Sequence, residues 1–369
     1  MLNLTRIPLL ALLTVFAAFL AGGSSAQAQE QEESPWSFYG DARFRLAFDA
    51  LTPGVPDRNR QRMRFRFGVN FTITDELTVG TRLVTGDPQV PTNPHVDLGN
   101  GFDGLEVNLD RLFFRYSPKE APGLSVVGGK FSNPIYRNPV FGEFVWDADL
   151  QPEGMMVTYN STGGAFVDSF GFQFAQLAMY EQAPPGDTWG TLAGFNFSKK
   201  TGDNQRLEGG VNYTFFGDLT PGGSDALTVR LRGNSMTGDE PTSNFGIVDA
   251  VLAYHFGDVV LSAEFINNTR AASDVGDTAV AFGAAVNTDN GKLYYSYSAI
   301  EQDAVLSLLS QDDFLSATNF NSHLLGWRKY LTEHTLLHVY VLASEPNELV
   351  AGLVDEMVYR FRVDIDIDF

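Results

Sequence analysis

Apolar and polar side chains alternate with a period of two along most of this chain, most plainly between Arg58 and Phe71. There Arg58, Arg60, Arg62, Arg64 and Arg66 occupy every second position, and Met63, Phe65, Phe67, Val69 and Phe71 occupy the other set. Successive side chains of an extended strand point to opposite faces, so the segment carries one cationic and one apolar face. Alternation alone establishes a half-exposed strand, and the partner of the apolar face has to be found elsewhere.

The same grammar recurs to the C-terminus. From Trp36 to Phe48 the even positions are mostly apolar, and Ser37, Tyr39, Asp41, Arg43 and Arg45 stand on the other side. The last segment is the cleanest: Met357, Tyr359, Phe361, Val363, Ile365, Ile367 and the terminal Phe369 share a face opposite Arg360, Arg362, Asp364, Asp366 and Asp368. Connections alternate between short ones, such as Gly257-Asp258 and Thr332-Glu333-His334, and long ones at 86–104, 132–154, 217–247, 301–321 and 345–355. A barrel with both chain ends on one side needs an even strand count, with short turns at one rim and long loops at the other. The stretch Leu227 to Met236 also alternates. Counting it as a spanning strand makes the total odd and throws every later long loop to the wrong rim, so it is assigned to the long 217–247 excursion.

The arginines decide which face meets which solvent. Each arginine placed toward a bilayer midplane costs roughly 2–4 kcal/mol, less near the interfaces, so the cationic face requires water and the phenylalanine face accepts lipid. Several strands approach the roughly 9–11 residues that cross a bilayer, and Trp36, Trp189, Trp327 and many tyrosines fall near strand ends, where interfacial aromatics sit. The expectation is an all-β transmembrane antiparallel β-barrel of about 16 strands around an aqueous channel, closed so that no sheet edge is exposed.

Composition agrees. The chain has 369 residues, no cysteine, 30 phenylalanines and a formal net charge of -20. Without disulfides the fold must be held by its sheet, and the acidic balance argues against nucleic acid as a partner. Residues 1–28 read as a cleaved signal peptide: Arg6, an apolar run from Ile7 to Leu20, and Ala26-Gln27-Ala28 as the cleavage site. Residues 29–369 are expected to form a single outer-membrane barrel domain.

Certain segments are more specific: Gly128-Gly129-Lys130-Phe131 before the 132–154 loop, Trp146 to Gly154 at its end, and the late stretch Tyr295 to Tyr330 with Asp303-Ala304-Val305, Asp312-Asp313-Phe314, Thr318-Asn319 and His323. On these the chain resembles the Putative porin family of proteobacterial outer membranes. The resemblance implies a trimeric barrel channel in the outer membrane of a Gram-negative bacterium. It also implies that the third loop, 132–154, folds inward.

Candidate chemistry is then electrostatic. Arg43, Arg45, Arg58, Arg60, Arg62, Arg64, Arg66, Arg82, Arg111 and Arg115 come from the first four strands and would form one basic wall. An inward third loop would set Glu143, Asp147, Asp149 and Glu153 against it, giving a transverse field that screens solutes by charge and dipole. The alternative is that the arginines only neutralise neighbouring carboxylates and stiffen the wall. Asp364, Asp366 and Asp368 form an acidic column on the last strand, next to the first in a closed barrel, and are expected to be partners of Arg43 and Arg45 or mouth charges rather than metal ligands.

His334 and His338 are four apart but on a turn and a strand, where that spacing builds no zinc site. No loop has the ordered ligand spacing of a calcium site, and no catalytic set is recognisable. Neither an enzyme, a metal nor a cofactor is expected. The expected function is passive diffusion of small hydrophilic solutes and ions. The alternatives are an anion channel, for phosphate or small carboxylates, and a surface adhesion or receptor barrel. Expected partners are outer-membrane lipid, lipopolysaccharide, two further copies of the chain, and the barrel-assembly machinery, addressed through Phe369.

Overall fold

The computed structural model of the protein describes residues 34–50, 56–164, 166–180, 187–217, 219, 233–238, 240–314, 316–348 and 356–369. The chain separates into residues 1–35 and the unit Trp36–Phe369, and only the second is described below. The expected signal peptide, 1–28, lies outside the described residues.

Sixteen long strands among the described residues follow the alternating segments. They are β1 (Trp36–Ala50), β2 (Arg58–Thr74), β3 (Leu77–Thr85), β4 (Val107–Tyr116), β5 (Leu124–Lys130), β6 (Glu153–Thr162), β7 (Ser169–Tyr180) and β8 (Thr188–Gly202), followed by β9 (Gln205–Phe216), β10 (Gly246–Phe256), β11 (Val259–Asn268), β12 (Thr278–Thr288), β13 (Gly291–Ile300), β14 (Phe320–Thr332), β15 (Thr335–Pro346) and β16 (Val358–Asp368). Each pairs antiparallel with its neighbours in the chain, and β1 pairs with β16 to close the ring. The seam is tied at its end by Gly40 N to Phe369 O at 2.9 Å and Phe369 N to Gly40 O at 3.1 Å, so the terminal aromatic lies within the closing ladder. The expected antiparallel barrel and strand number are borne out.

The excursion assigned to 217–247 runs between β9 and β10. Within it, among the described residues, Met236–Thr237 pairs with Glu240–Pro241 in a small separate hairpin, and 220–232, which includes most of the alternating stretch Leu227 to Met236, lies outside the described residues.

Side chains sort by parity as the pattern requires. Phe44, Leu46, Phe48, Phe65, Leu112, Phe114, Phe172, Phe174, Leu252, Leu261, Phe265, Phe282, Leu325 and Phe361 are exposed on the outside of the ring. Such a band is far larger than water tolerates and marks a lipid-facing surface. Exposed aromatics gather at both rims: Trp36, Tyr116 and Tyr330 toward the short turns, and Trp189, Tyr213 and Tyr359 toward the long loops.

The interior is not open throughout. Phe131, Ile135, Val140, Phe144, Val145, Trp146 and Leu150 from the loop between β5 and β6, and Ala304, Val305, Leu306, Leu309 and Phe314 from the loop between β13 and β14, are buried in one hydrophobic cluster. The cluster includes Leu177, Leu192, Phe216, Ile247, Ala279, Ala281, Phe320, Leu324 and Leu342 from the strands. Inward positions of β12 are small (Ala279, Ala281, Gly283, Ala285), which leaves room for the loops against the wall. An alternating strand pattern cannot distinguish an inner face wet by a pore from one covered by a loop.

The loop after β5 leaves the wall at a glycine pair. Gly129 and Gly154 face each other across β5 and β6 with φ of 111° and 144°. A Cβ would stand 2.2 Å from Leu112 O at the first and 2.1 Å from Gln176 O at the second. Only glycine meets both demands, which accounts for its presence in the two segments flanking this loop.

Candidate functional site: a charged eyelet inside the barrel

The arginine ladder of β2 faces inward and is paired in register with β1, so that Arg45 stands opposite Arg62 and Arg43 opposite Arg64. Like charges directly opposed would be unfavourable alone, and carboxylates are threaded between them. Arg64 bonds Asp41 at 2.8 Å and Asp149 at 2.9 Å, and Arg66 bonds the same two at 2.6 and 2.9 Å. Arg45 grips Asp364 through two bonds of 2.8 Å, and Arg43 meets Asp366 at 2.5 Å. Toward the long-loop rim Arg60 pairs with Asp49, and Arg62 with Asp97, which a short bridge (Val96–Asp97) places against β2. Arg82 meets Asp110 at 2.5 Å, and Arg111 donates to Gln151 at 2.8 Å.

The loop between β5 and β6 touches inward-facing side chains on widely separated strands. Asp149 reaches β2, Asn212 of β9 donates to Tyr136 O at 3.0 Å, Asn138 donates to Glu264 of β11 at 3.1 Å, and Lys292 of β13 donates to Pro139 O at 3.4 Å. The loop between β13 and β14 backs it, with Asp147 N bonded to Leu309 O and Gln311 N to Glu143 O. That second loop is pinned by Asp303, whose buried carboxylate accepts from Ser235 N at 2.8 Å and Ser243 Oγ at 2.5 Å. Here 301–321 corrects the sequence reading: it is no outer excursion but half of the interior platform.

Between platform and ladder lies a polar cavity of about 360 Å³. Arg43, Arg45, Arg64 and Arg66 line the wall side together with Asp364, and Glu143, Asp147, Asp149, Asp312 and Asp313 line the loop side together with Arg137. The loop carboxyls divide by environment. Burial raises Glu143 to about 7, helped by the nearby Asp313 charge. Burial and then Glu143 hold Asp147 well above the usual carboxylate range. Burial also opposes the charge of Asp149, but Arg64 and Arg66 overcome it and keep this carboxyl below its ordinary value; Arg362 and Arg45 do the same for Asp313. His95, from the loop between β3 and β4, is kept neutral by burial and by the guanidiniums of Arg45, Arg43, Arg64 and Arg62.

The structure brings together Arg43, Arg45, Arg64, Arg66, Glu143, Asp147 and Asp149 from the sequence-derived set. Others stand apart. Glu153 begins β6 on the outward-facing parity and pairs with Lys130 at 2.5 Å, so it does not confront the ladder. Arg58 is exposed at the loop rim beside Asp97, and Arg115 lies near the short-turn end over the ring of Phe113. Several participants were given no role in the pore charges: Asp41, Asp49, Asp97 and Asp110 as counter-charges, Arg360 and Arg362 in the last strand, and Asp312 and Asp313, noted only as a motif of the late segment. For Asp41 and Asp49 the signal was present, since both share the inward parity of Arg43 and Arg45.

Comparison with known proteins agrees with this architecture. A sequence profile of the family described as Putative porin matches residues 37–182, which span β1 to β7 and thus the ladder and the loop carrying Asp149. No curated protein matches. Among solved structures, Salmonella typhi OmpF in complex with daunomycin is 15% identical, with 90% of this chain and 97% of that chain covered and a TM-score of 0.56. Pseudomonas putida OprB at high pH is 12% identical, with 91% and 94% covered and a TM-score of 0.61. A mutant Rh. blastica porin is 13% identical, with 90% and 100% covered and a TM-score of 0.51. At these identities the likeness is one of fold.

Proposed function

We propose that this chain is an outer-membrane diffusion channel for small hydrophilic solutes and ions, whose selectivity is set where the ladder meets the platform. The observation that carries the reading is the uneven charge across one cavity, where guanidiniums outnumber the lining carboxylate Asp364 on the wall side and carboxyls outnumber the lining guanidinium Arg137 on the loop side. Opposed charges fixed a few ångströms apart order water and favour solutes whose dipole or charge matches the field. The apolar outer band and its aromatic rims support residence in a bilayer, and the family match supports the outer membrane of a Gram-negative bacterium. Export through residues 1–28, trimer formation, contact with lipopolysaccharide and delivery by the assembly machinery through Phe369 belong to the same proposal.

Because the wall arginines are paired with carboxylates, the ladder combines both roles considered from the sequence. It is neutralised overall, yet polarised across the eyelet. Reconstitution into planar bilayers tests the proposal: stepwise ohmic conductance is expected, and a folded, pure sample that never conducts overturns it.

A further inference from the structure

The register of the barrel wall continues the ladder beyond the eyelet. Arg62 faces Arg45, Arg45 faces Asp364, Asp364 faces His338, His338 faces Arg328 and Arg328 faces Lys292. At the start of this series each cation has a carboxylate beside it. At its end the arrangement changes. Arg328 and Lys292 are directly opposed like charges, and among the described residues neither forms an ion pair with a carboxylate. Lys292 donates only weakly, to Pro139 O at 3.4 Å. Arg328 lies 4.9 Å from the ring centre of Tyr294, and its Nε is buried without a hydrogen-bond partner among the described residues. Arg328, Tyr294 and His338 line the same cavity as the ladder.

We infer that Arg328 and Lys292 form a subsite for a small oxyanion, of phosphate or carboxylate type, supplied from solution. An opposed pair of cations costs free energy unless an anion lies between them, and among the described residues carboxylates pair with the cations of the ladder but not with these two. The fork of Arg328 suits two oxygens of one oxyanion, and Lys292 supplies a mobile point charge. The Tyr294 hydroxyl, 2.6 Å from His338 Nε2, adds a polar group in the same cavity. An anion at the ladder competes with Asp41, Asp149 and Asp364; at this pair it has no resident competitor. Lys292 adjoins the turn at 289–290, so the subsite lies on the short-turn side of the cavity, against the platform at Pro139.

The inference rests on the diffusion-channel reading, and two measurements separate their failures. Calorimetric titration of the purified, folded barrel with inorganic phosphate, and separately with acetate, reads the subsite without conduction. Saturable binding of either is expected, the stronger naming the oxyanion, and roughly tenfold weaker binding in the double variant Lys292→Gln/Arg328→Gln. Arg328→Lys, which keeps the charge, is expected to retain most of it. In bilayers the preferred anion should partially block chloride current in the native channel and not in the double variant. Absence of binding by both anions, or binding unchanged in the double variant, overturns the subsite even if the channel conducts. Binding without any conductance overturns the channel reading and leaves the subsite standing.

Discussion

Asp149, on the loop between β5 and β6, lies 2.9 Å from the guanidinium of Arg64 on β2 and 2.9 Å from that of Arg66, and so fastens the inner platform to the basic wall. The contact joins positions distant in sequence and gives the eyelet its polarity. Asp149→Asn keeps the shape but removes the charge, leaving two guanidiniums sharing Asp41 alone. The expected outcome is a reversal potential shifted toward anions in a salt gradient, together with a loss of about 1–3 kcal/mol of stability in chemical unfolding.

Glu143 should give conduction through the proposed channel a pH dependence. With its carboxyl raised to about 7 by burial and by Asp313, it is neutral below that pH and negative above it. The added negative charge favours cations, so cation preference is expected to rise as pH increases from about 6 to 8. Glu143→Gln should flatten this part of the profile. Reversal potentials taken across that range check both statements.

Glu153 provides the contrasting case. It faces outward beside Lys130, so Glu153→Gln is expected to leave ion selectivity unchanged. A selectivity shift as large as that of Asp149→Asn would place it in the eyelet after all.

Val140 seats the platform against Gly283 of β12, where a Cβ would come within 2.7 Å of the Val140 side chain and 2.5 Å of Ser262 Oγ. Gly283→Val should lift the loop from the wall while the ladder of β12 persists. The readout is a larger and noisier single-channel conductance with an unchanged β-sheet circular dichroism spectrum.

Trp146 and Phe314 are almost fully buried in the core shared by the two inner loops. Truncating either to alanine is expected to destabilise the platform by about 3–5 kcal/mol. Because each barrel strand is held by its neighbours, the barrel should survive this loss. Protease cleavage within 131–152 or 301–319, with the rest of the chain protected, distinguishes platform loss from global unfolding.

The sequence alone determined the barrel. A strand has a period of two, arginine is costly in lipid and a closed sheet with both ends on one side needs an even count; together these yield sixteen strands, their facing and the placement of the 217–247 excursion. They also placed Arg43, Arg45, Arg64 and Arg66 inward. Apart from the pairs of Arg43 and Arg45 with the last strand, which strand adjacency already suggested, only the tertiary structure decided what fills the lumen and which charges meet. The apolar residues of 131–152 and 301–319 carry no strand period, so nothing local shows that they leave the rim and pack on Ala279, Ala281 and Leu324. Asp41, Asp97 and Asp313 find their arginines through register and loop return, which are long-range. Glu153 stands apart for a related reason: its charge suits the loop, but the strand already begins there, and its parity puts the side chain outside beside Lys130.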